Sequence, residues 1–133
     1  MKTAAIIIQK NDPNAPMTHQ LGDICRDLKI GVEVLTAPNA YSFIAEVIPP
    51  KQAIVFIPAI EEDCLGVKLA QHTCDTSVKR VIVMYAQTLP EKAYICLAFR
   101  EGVDDIIALD ASRETCQVQV RRAEKLLQNR VQS

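Results

Sequence analysis

Five short runs of apolar residues, rich in β-branched side chains, alternate along this chain with segments that carry apolar residues at helical spacing. The length and content of the runs are typical of β-strands. Four are almost continuously hydrophobic, as strands covered on both faces must be, whereas Val32-Glu33-Val34 alternates as an edge strand would. The predicted strands are Ala4 to Ile8, Val32 to Leu35, Ala53 to Ile57, Val81 to Met84 and Ile106 to Leu109.

The segments between these runs predict five amphipathic helices. The fourth is expected to begin near Thr88, with Pro90 in its first turn and Glu91 placed for a capping box, and to end at Gly102. The last follows Asp110 or Ser112, both competent N-caps. The first three helices are predicted from apolar residues at helical spacing, which are Leu21, Ile24, Cys25 and Leu28; Phe43, Ile44, Val47 and Ile48 before Pro49-Pro50; and Leu65 and Leu69 within Asp63 to Thr73. The last helix is predicted to bury one stripe formed by Cys116, Val120, Ala123 and Leu127.

Strict alternation of strands and helices with short connections predicts parallel strands joined by right-handed crossovers. The fold class is therefore α/β, a doubly wound sheet with helices on both faces, three layers in all. Five strands suit the flavodoxin-like order 2-1-3-4-5. In such sheets, sites form beyond the carboxyl ends of the strands, where strands one and three part. Chemistry is expected at Gln9 to Pro13 and at Pro58 to Asp63.

Composition narrows the classes of function. A chain of 133 residues with 49% hydrophobic content predicts a single domain over residues 1–133. Its net charge of -1 offers no electrostatic case for binding nucleic acid or membranes. Five cysteines without a Cys-x-x-Cys pair predict neither a disulfide framework nor a zinc site, but reduced thiols in the cytoplasm. The basic residues near the end are interpreted as a solvated helix face; they are Arg121, Arg122, Lys125 and Arg130.

Catalytic and cofactor motifs are not found in the sequence. His72 and Cys74 could together bind a metal, but no further ligand follows at a usual spacing. The loop after the first strand lacks the Thr, Ser or Gly residues that a flavin phosphate needs, and no Gly-x-Gly-x-x-Gly run or serine elbow occurs. The apolar run after Met1 is too short for a signal peptide or a membrane span. We therefore expect a non-enzyme with no cofactor and no metal.

One stretch points to a family: Gly102-Val103-Asp104-Asp105-Ile106-Ile107-Ala108-Leu109-Asp110. It resembles the last strand of the receiver domain of response regulators (CheY-like), the aspartate-phosphorylated module of bacterial signalling. There, Gly-Ala-Asp-Asp and an aromatic residue run into a Lys-Pro pair. The resemblance covers essentially the whole chain and also includes Pro13, Gly66 and Ala86. It implies the same flavodoxin-like fold.

At the family's chemical positions, by contrast, the residue types have changed. Lys10 and Asn11 fall where the resemblance implies two magnesium-binding acids, and Pro58 falls on the phosphorylated aspartate. Tyr85 takes the position of a threonine or serine hydroxyl, with Ile106 in place of its aromatic partner. Leu109 replaces the lysine. The resemblance therefore implies a degenerate pseudo-receiver that lacks the phosphoacceptor.

Two rearrangements of this pocket are open from the residues. Asp12 remains in the first loop, and three acids follow the third strand: Glu61, Glu62 and Asp63. These four could form a rebuilt metal site, although loop carboxylates are ordinarily solvated or capping groups. We favour the second possibility, in which the Lys10 ammonium pairs with one of the acids and substitutes for the metal.

The expected function is that of a non-catalytic receiver-like regulatory module acting through protein–protein interaction. In receivers, partners or a second copy dock on the face formed by the fourth helix, the fifth strand and the fifth helix. There Asp104 or Asp105 could pair with Arg121 or Arg122 across a twofold axis, or within one chain. The alternative is a receiver-type regulatory domain of a transcription factor or signalling enzyme in a phosphorelay, the N-terminal part of a longer regulator.

Overall fold

The computed structural model describes residues 3–10, 15–37, 52–73 and 79–132. Five parallel strands form one sheet in the order β2-β1-β3-β4-β5, as predicted. The strand bounds are β1 Ala4–Lys10, β2 Gly31–Ala37, β3 Ala53–Pro58, β4 Arg80–Ala86 and β5 Asp105–Ala108. The alternating strand β2 lies at one edge, which confirms the prediction from its pattern.

Four α-helices lie within the described residues, on the two faces of the sheet. Their bounds are α1 Ala15–Asp27, α2 Leu65–Thr73, α3 Lys92–Arg100 and α4 Arg113–Gln132. They correspond to the first, third, fourth and fifth predicted helices. The second prediction, over Phe43 to Ile48, lies outside the described residues.

Alternate residues of the strands bury themselves in two separate cores. Ile7, Phe56 and Ile107 point toward α1 and α4, where they meet the predicted α4 stripe of Cys116, Val120, Ala123 and Leu127. Their neighbours pack under α2 and α3 and include Ile6, Ile8, Val55, Met84 and Ile106. Strands covered on both faces must be hydrophobic at every position, which explains the continuous apolar runs of the sequence.

The starts of two helices differ from the sequence-based expectation. Helix α3 begins at Lys92, so Pro90 lies before it, and the Glu91 side chain makes no capping hydrogen bond. The predicted capping box is therefore wrong; the Glu91 N–H instead approaches Glu61 Oε1 at 3.4 Å. Helix α2 begins at Leu65, after a 3₁₀ turn in which Asp63 takes the left-handed conformation (φ 53°), so Asp63 cannot continue the helix.

Ser112 before α4 and Gly102 after α3 have the roles that the sequence predicts. Ser112 is the residue that caps α4, since its Oγ accepts the Thr115 N–H at 3.1 Å. Gly102, with φ 109°, ends the turn that closes α3, a conformation that favours glycine. Both features orient β5 and the residues around it.

Candidate functional site

The carboxyl edge of the sheet is where the sequence predicts chemistry. Gln9 and Lys10 end β1, Pro58 ends β3 and Ala86 ends β4. Gln9 Nε2 donates to Thr36 Oγ1 at 2.6 Å, which ties β1 to the end of the edge strand β2. The predicted site residues Asn11 and Asp12 lie outside the described residues.

Pro58 is buried and forms the last position of β3, opposite Tyr85 of β4. Its side chain carries no polar atom, and its carbonyl oxygen accepts the Ile60 N–H at 2.9 Å. The Ala59 N–H donates to the Tyr85 carbonyl at 2.9 Å and so extends the sheet by one bond. At this position the central strand therefore carries no carboxylate, and Pro58 contributes only its backbone carbonyl to hydrogen bonding.

The segment after β3 is held by α2 and α3. The Ile60 carbonyl accepts two hydrogen bonds at 3.1 Å, from the Gly66 N–H and from the Tyr94 hydroxyl. A Cβ added at Gly66 would lie 2.4 Å from Tyr94 Oη and 2.7 Å from the Pro58 carbonyl oxygen. Only glycine fits this close approach, which explains physically why a glycine opens α2. Burial, with the nearby Cys64 and Glu61, raises the pKa of Tyr94 to about 12.

Tyr85 is completely buried in the core beneath α1 and α4. Its hydroxyl donates to the Ile8 carbonyl at 2.7 Å and shares a side-chain hydrogen bond with Thr18 of α1. The ring thus reaches across β3 to β1. The pKa of Tyr85 is raised well above its ordinary value because burial disfavours the phenolate.

Leu109 is also a core residue. Its side chain packs in the same core as Tyr85, its N–H donates to the Ala86 carbonyl at 2.8 Å, and its own carbonyl accepts Gln20 Nε2 at 2.7 Å. Ile106 packs on the opposite face of the sheet, beneath α3. Tyr85 and Ile106, which the resemblance pairs as a switch, therefore belong to different cores.

The favoured pairing of Lys10 with the acids after β3 is not formed. Among the described residues, Lys10 has no carboxylate within 4 Å, so the expected ion pair with Glu61, Glu62 or Asp63 is wrong; a pair with Asp12 lies outside them. The three acids after β3 are all exposed. Within the described residues, no group of three or more His, Cys, Asp and Glu side chains could hold a metal ion.

These residues do not fit a magnesium site. Mg²⁺ prefers several oxygen ligands in octahedral array, usually including carboxylates. Here an ammonium-bearing residue ends β1, a proline ends β3, and the Pro58 and Ile60 carbonyl oxygens already accept hydrogen bonds. The described residues at this edge of the sheet therefore do not form a magnesium site.

Asp104 forms a partly buried ion pair that the sequence did not predict. Its carboxylate accepts Arg130 Nη2 at 2.7 Å and Nη1 at 3.0 Å, and also the Ile82 N–H at 2.8 Å. Arg130 Nη1 donates further to the Arg80 carbonyl at 2.6 Å. The interpretation of Arg130 as part of a solvated face is therefore wrong: it fastens the end of α4 to β4 and to the start of β5.

The other members of the predicted interaction face make local pairs. Arg122 Nη2 lies 3.5 Å from Asp105 Oδ2, and the same oxygen is 3.4 Å from Gln119 Nε2. Arg121 pairs with Glu124 at 2.6 Å and not with Asp104 or Asp105. The intramolecular alternative is thus present at Asp105, while Asp104 is engaged by a different arginine.

Two of the cysteines are core residues. Cys25 and Cys116 are buried in the core beneath α1 and α4, and burial raises the pKa of both thiols, that of Cys25 to about 12. Thiols of this kind act as small apolar groups. No helix in the described part of the chain is long and apolar enough to cross a membrane.

Comparison with known proteins identifies the fold. Neither a protein-family model nor a curated protein sequence matches this chain. Solved structures do: a two-component response regulator from Clostridium difficile is 20% identical, with a TM-score of 0.70 over 93% of this chain and 97% of that one. NtrX from Brucella abortus is 17% identical, with a TM-score of 0.75 over 99% of this chain and 29% of that one.

A third structure points the same way. DrrB, an OmpR/PhoB homologue from Thermotoga maritima, is 14% identical, with a TM-score of 0.66 over 92% of this chain and 52% of that one. This chain therefore has the receiver-domain fold, a CheY-like arrangement of five parallel strands. It is similar in length to the Clostridium protein but spans only about a third of NtrX and half of DrrB.

Proposed function

We propose that this chain is a receiver-like regulatory module that works through protein–protein contacts and is not phosphorylated on aspartate. The observation that carries the proposal is Pro58 at the end of the central strand. Aspartyl phosphorylation needs a carboxylate nucleophile and a divalent cation that offsets the phosphate charge. Pro58 has no carboxylate, and the described residues around it do not fit a magnesium site.

The packing of Tyr85 and Leu109 supports the same proposal. A hydroxyl that stabilises a phosphoryl group must be free to reach it, but the Tyr85 hydroxyl is buried and bonded to Ile8. A lysine that stabilises phosphate is replaced by Leu109, whose side chain fills the core. The scaffold positions that match the family have structural roles, as Gly66 and Gly102 illustrate.

The face formed by α3, β5 and α4 is the proposed site for a protein partner or a second copy. Asp105 and Arg122 lie side by side there, and the Arg122 side chain is 68% exposed. An exposed pair of this kind stabilises a single chain by only about 0–1 kcal/mol. The two groups can therefore exchange into equivalent pairs across a twofold axis at little cost.

A second candidate is a regulatory domain of a longer transcription factor or signalling enzyme. NtrX and DrrB favour it, because in both of them the matched region is only part of a longer chain. In this case a noncovalent ligand or partner would take the place of the phosphoryl group.

The proposal is tested by incubating the protein with acetyl phosphate and Mg²⁺ and measuring its mass. We expect no phosphate adduct, and no change in the amide spectrum on adding beryllofluoride. The DrrB receiver domain, which has been obtained in a beryllofluoride-activated form, serves as the positive control.

A mass gain of one phosphate on any aspartate of the carboxyl edge would contradict the proposal. In that case, replacing Asp63 with Asn and Glu61 and Glu62 with Gln would show whether the acids after β3 support the reaction. These three side chains are exposed, so their replacement should leave the fold intact.

A further inference from the structure

Strand β2 forms one edge of the sheet, and its outer side is open. An edge strand directs the N–H and C=O groups of every second residue away from its neighbour. Among the described residues, none bonds to this outer row on Gly31–Ala37, since the hydrogen bond from Gln9 ends on the Thr36 side chain. The seven residues of β2 include no proline and no basic side chain, so they present unpaired backbone that another extended chain can match.

The opposite edge of the sheet offers less unpaired backbone. Strand β5 has only four residues. The Ile106 N–H donates to Asp105 Oδ1, and the Ile106 carbonyl accepts Gln119 Nε2, both at 2.9 Å. Both backbone groups of Ile106 therefore already bind side chains of the same chain. Of the two edges, β2 is the one that is available for the addition of a strand.

The side chains of β2 alternate between the two faces of the sheet. Val32 packs against the core beneath α1 and α4, and Leu35 packs against the core beneath α2 and α3. Glu33 lies on the same face as Leu35; it is exposed, and no described Lys, Arg or His lies within 4 Å of its carboxylate. Val34, on the face of Val32, is 39% exposed. A strand beside β2 would thus meet an anion on one face and an exposed valine on the other.

A pocket of about 340 Å³ adjoins the same edge, at the start of β1 and β2. Gly31 and its register partner Ala4 line it, with Glu33 and Ile6 as the next pair on the same face. A Cβ added at Gly31 would meet no atom within 4 Å, so the space above this glycine is empty. A large side chain from a strand beside β2 could therefore lie over Gly31 and occupy the pocket.

We infer that the outer edge of β2 binds an extended segment of a partner protein as a sixth, antiparallel strand. In that segment an aromatic residue lies opposite Gly31, a basic residue opposite Glu33 and a β-branched residue opposite Val34, the pairs that cross-strand contacts favour. The aromatic ring covers Gly31, as an aromatic residue does when it stabilises a glycine at a sheet edge. The antiparallel direction follows because antiparallel pairing is slightly the more stable per residue.

A second copy of β2 matches this edge less well. The strand contains no aromatic and no basic residue, so self-pairing would leave the pocket at Gly31 unfilled and Glu33 without a cation. The edge also lies at the opposite end of the sheet from the proposed face of α3, β5 and α4. The inference therefore goes beyond the proposed function and does not depend on it.

The test titrates the intact chain with a synthetic peptide whose central sequence is Thr-Ile-Lys-Val-Tyr. In antiparallel register its tyrosine faces Gly31, its lysine faces Glu33 and its isoleucine faces Val34. We expect shifts of the amide spectrum centred on residues 31–36, and slower hydrogen exchange at alternate amides of β2, because only every second N–H points outward. Matched peptides that carry glutamate in place of lysine, or serine in place of tyrosine, should bind more weakly.

Two further peptides test whether the backbone carries the binding. Each is N-methylated at alternate amides of the central sequence, one on the set that faces β2 and the other on the set that faces away. Methylation removes the donors that a ladder needs, so the first peptide should not bind and the second should bind as the parent does. A contact made through side chains alone would not separate the two.

Two variants of the protein test the side-chain pairs. Glu33→Lys should weaken binding of the lysine peptide about tenfold and strengthen that of the glutamate peptide, because it exchanges an opposite-charge pair for a like-charge pair. Glu62→Lys reverses an exposed anion after β3 and is the matched control. Gly31→Val fills the space above the strand without a clash inside the chain, and should weaken binding of the tyrosine peptide about fivefold.

Three results would overturn the inference. They are the absence of shifts at residues 31–36 with millimolar peptide, equal binding of the two N-methylated peptides, and equal binding of the lysine and glutamate peptides. Hydrogen exchange of the protein alone tests the other occupant: β2 amides that are protected at high protein concentration and exposed on dilution would mean that a second copy, and not a partner, covers this edge. Thermal unfolding of each variant confirms that it is folded.

Discussion

Tyr85 is a residue with a polar hydroxyl that is nevertheless fully buried in the core beneath α1 and α4. The ring lies beneath α1 and α4, and its hydroxyl ends on the Ile8 carbonyl, where β1 and β3 no longer pair. The sequence predicts that Tyr85 lies at a strand end, but not toward which face of the sheet its side chain points. Period-two alternation assigns a face only once the register of the strand is known. Its partner Thr18 is on a helix, a long-range contact without a sequence signal.

The free energy of unfolding should depend on Tyr85 in a pH-dependent way. Tyr85→Phe leaves the Ile8 carbonyl without its donor and should destabilise the protein by about 1–3 kcal/mol at pH 7. Above pH 10, about the ordinary pKa of tyrosine, the unfolded chain of the wild type loses the phenol proton while the folded state retains it. Wild-type stability therefore falls as pH rises toward the raised pKa of Tyr85.

The phenylalanine variant lacks this contribution, so the difference in stability between the two proteins should narrow above pH 10. Urea unfolding at pH 7, 9, 10 and 11 measures it. Tyr94 and Cys25, whose pKa values are also raised, are present in both proteins and cancel in the difference. A difference that stays constant across this range would mean that Tyr85 ionises as easily in the folded protein as in the unfolded one.

At the scale of elements, the strands were predictable and the helix starts were less so. Five buried runs lead directly to five strands in the predicted order, because a doubly covered strand must be hydrophobic throughout. Helix α3 begins later than Thr88 and Pro90 suggest, since its first residues depend on how the segment after β3 docks. The Tyr94 hydroxyl binds the Ile60 carbonyl of that segment, but no pattern in the sequence distinguishes Tyr94 from the other apolar residues of the helix.

The contact between α2 and the end of β3 should be sensitive to Gly66. A methyl group at Gly66 would lie within 3 Å of Tyr94 Oη, the Pro58 carbonyl oxygen and Ile60 N, two of which are backbone atoms. Gly66→Ala should therefore destabilise the protein by about 1–3 kcal/mol in urea unfolding.

Gly22 offers the matched control. A Cβ there meets only the flexible end of Arg26, at 3.2 Å, within the body of α1. Gly22→Ala should be neutral or stabilising by up to about 1 kcal/mol, because alanine favours the helix. Equal effects of the two substitutions would rule out the close approach at Gly66 as the reason for its glycine.

On the scale of the whole molecule, the proposed interaction face depends on residues that the structure uses in different ways. Asp104 is half-buried and bonded to Arg130 and to the Ile82 N–H, so reversing its charge would disturb the fold. Asp105 and Arg122 are available for exchange. The sequence could not assign an arginine partner to each of the two acids, because four arginines share helix α4.

We expect the protein to form a concentration-dependent dimer through Asp105 and Arg122. Arg122→Glu should raise the dissociation constant about tenfold or more, since it sets like charges opposite each other twice in a symmetric pair. Light scattering over a range of concentrations measures the effect. Arg26→Glu, an exposed cation on α1, is the control.

A wild-type protein that remains a monomer at high concentration would contradict the homodimer. A dimer that Arg122→Glu leaves unchanged would move the interface elsewhere.

The last helix is held at both ends. Near its start, Arg113 pairs with Asp27 of α1, and near its end Arg130 binds Asp104 and the Arg80 carbonyl. The two arginines are separated by about 25 Å along the helix axis at 1.5 Å per residue. The last turn of a helix usually frays, but unwinding of the last turn of α4 must break charge-assisted bonds to Asp104 and to the Arg80 carbonyl of β4. Helix α4 is therefore bonded to other elements through side chains at both ends, and rotation of the helix about its axis would break the bonds of Arg113 and of Arg130.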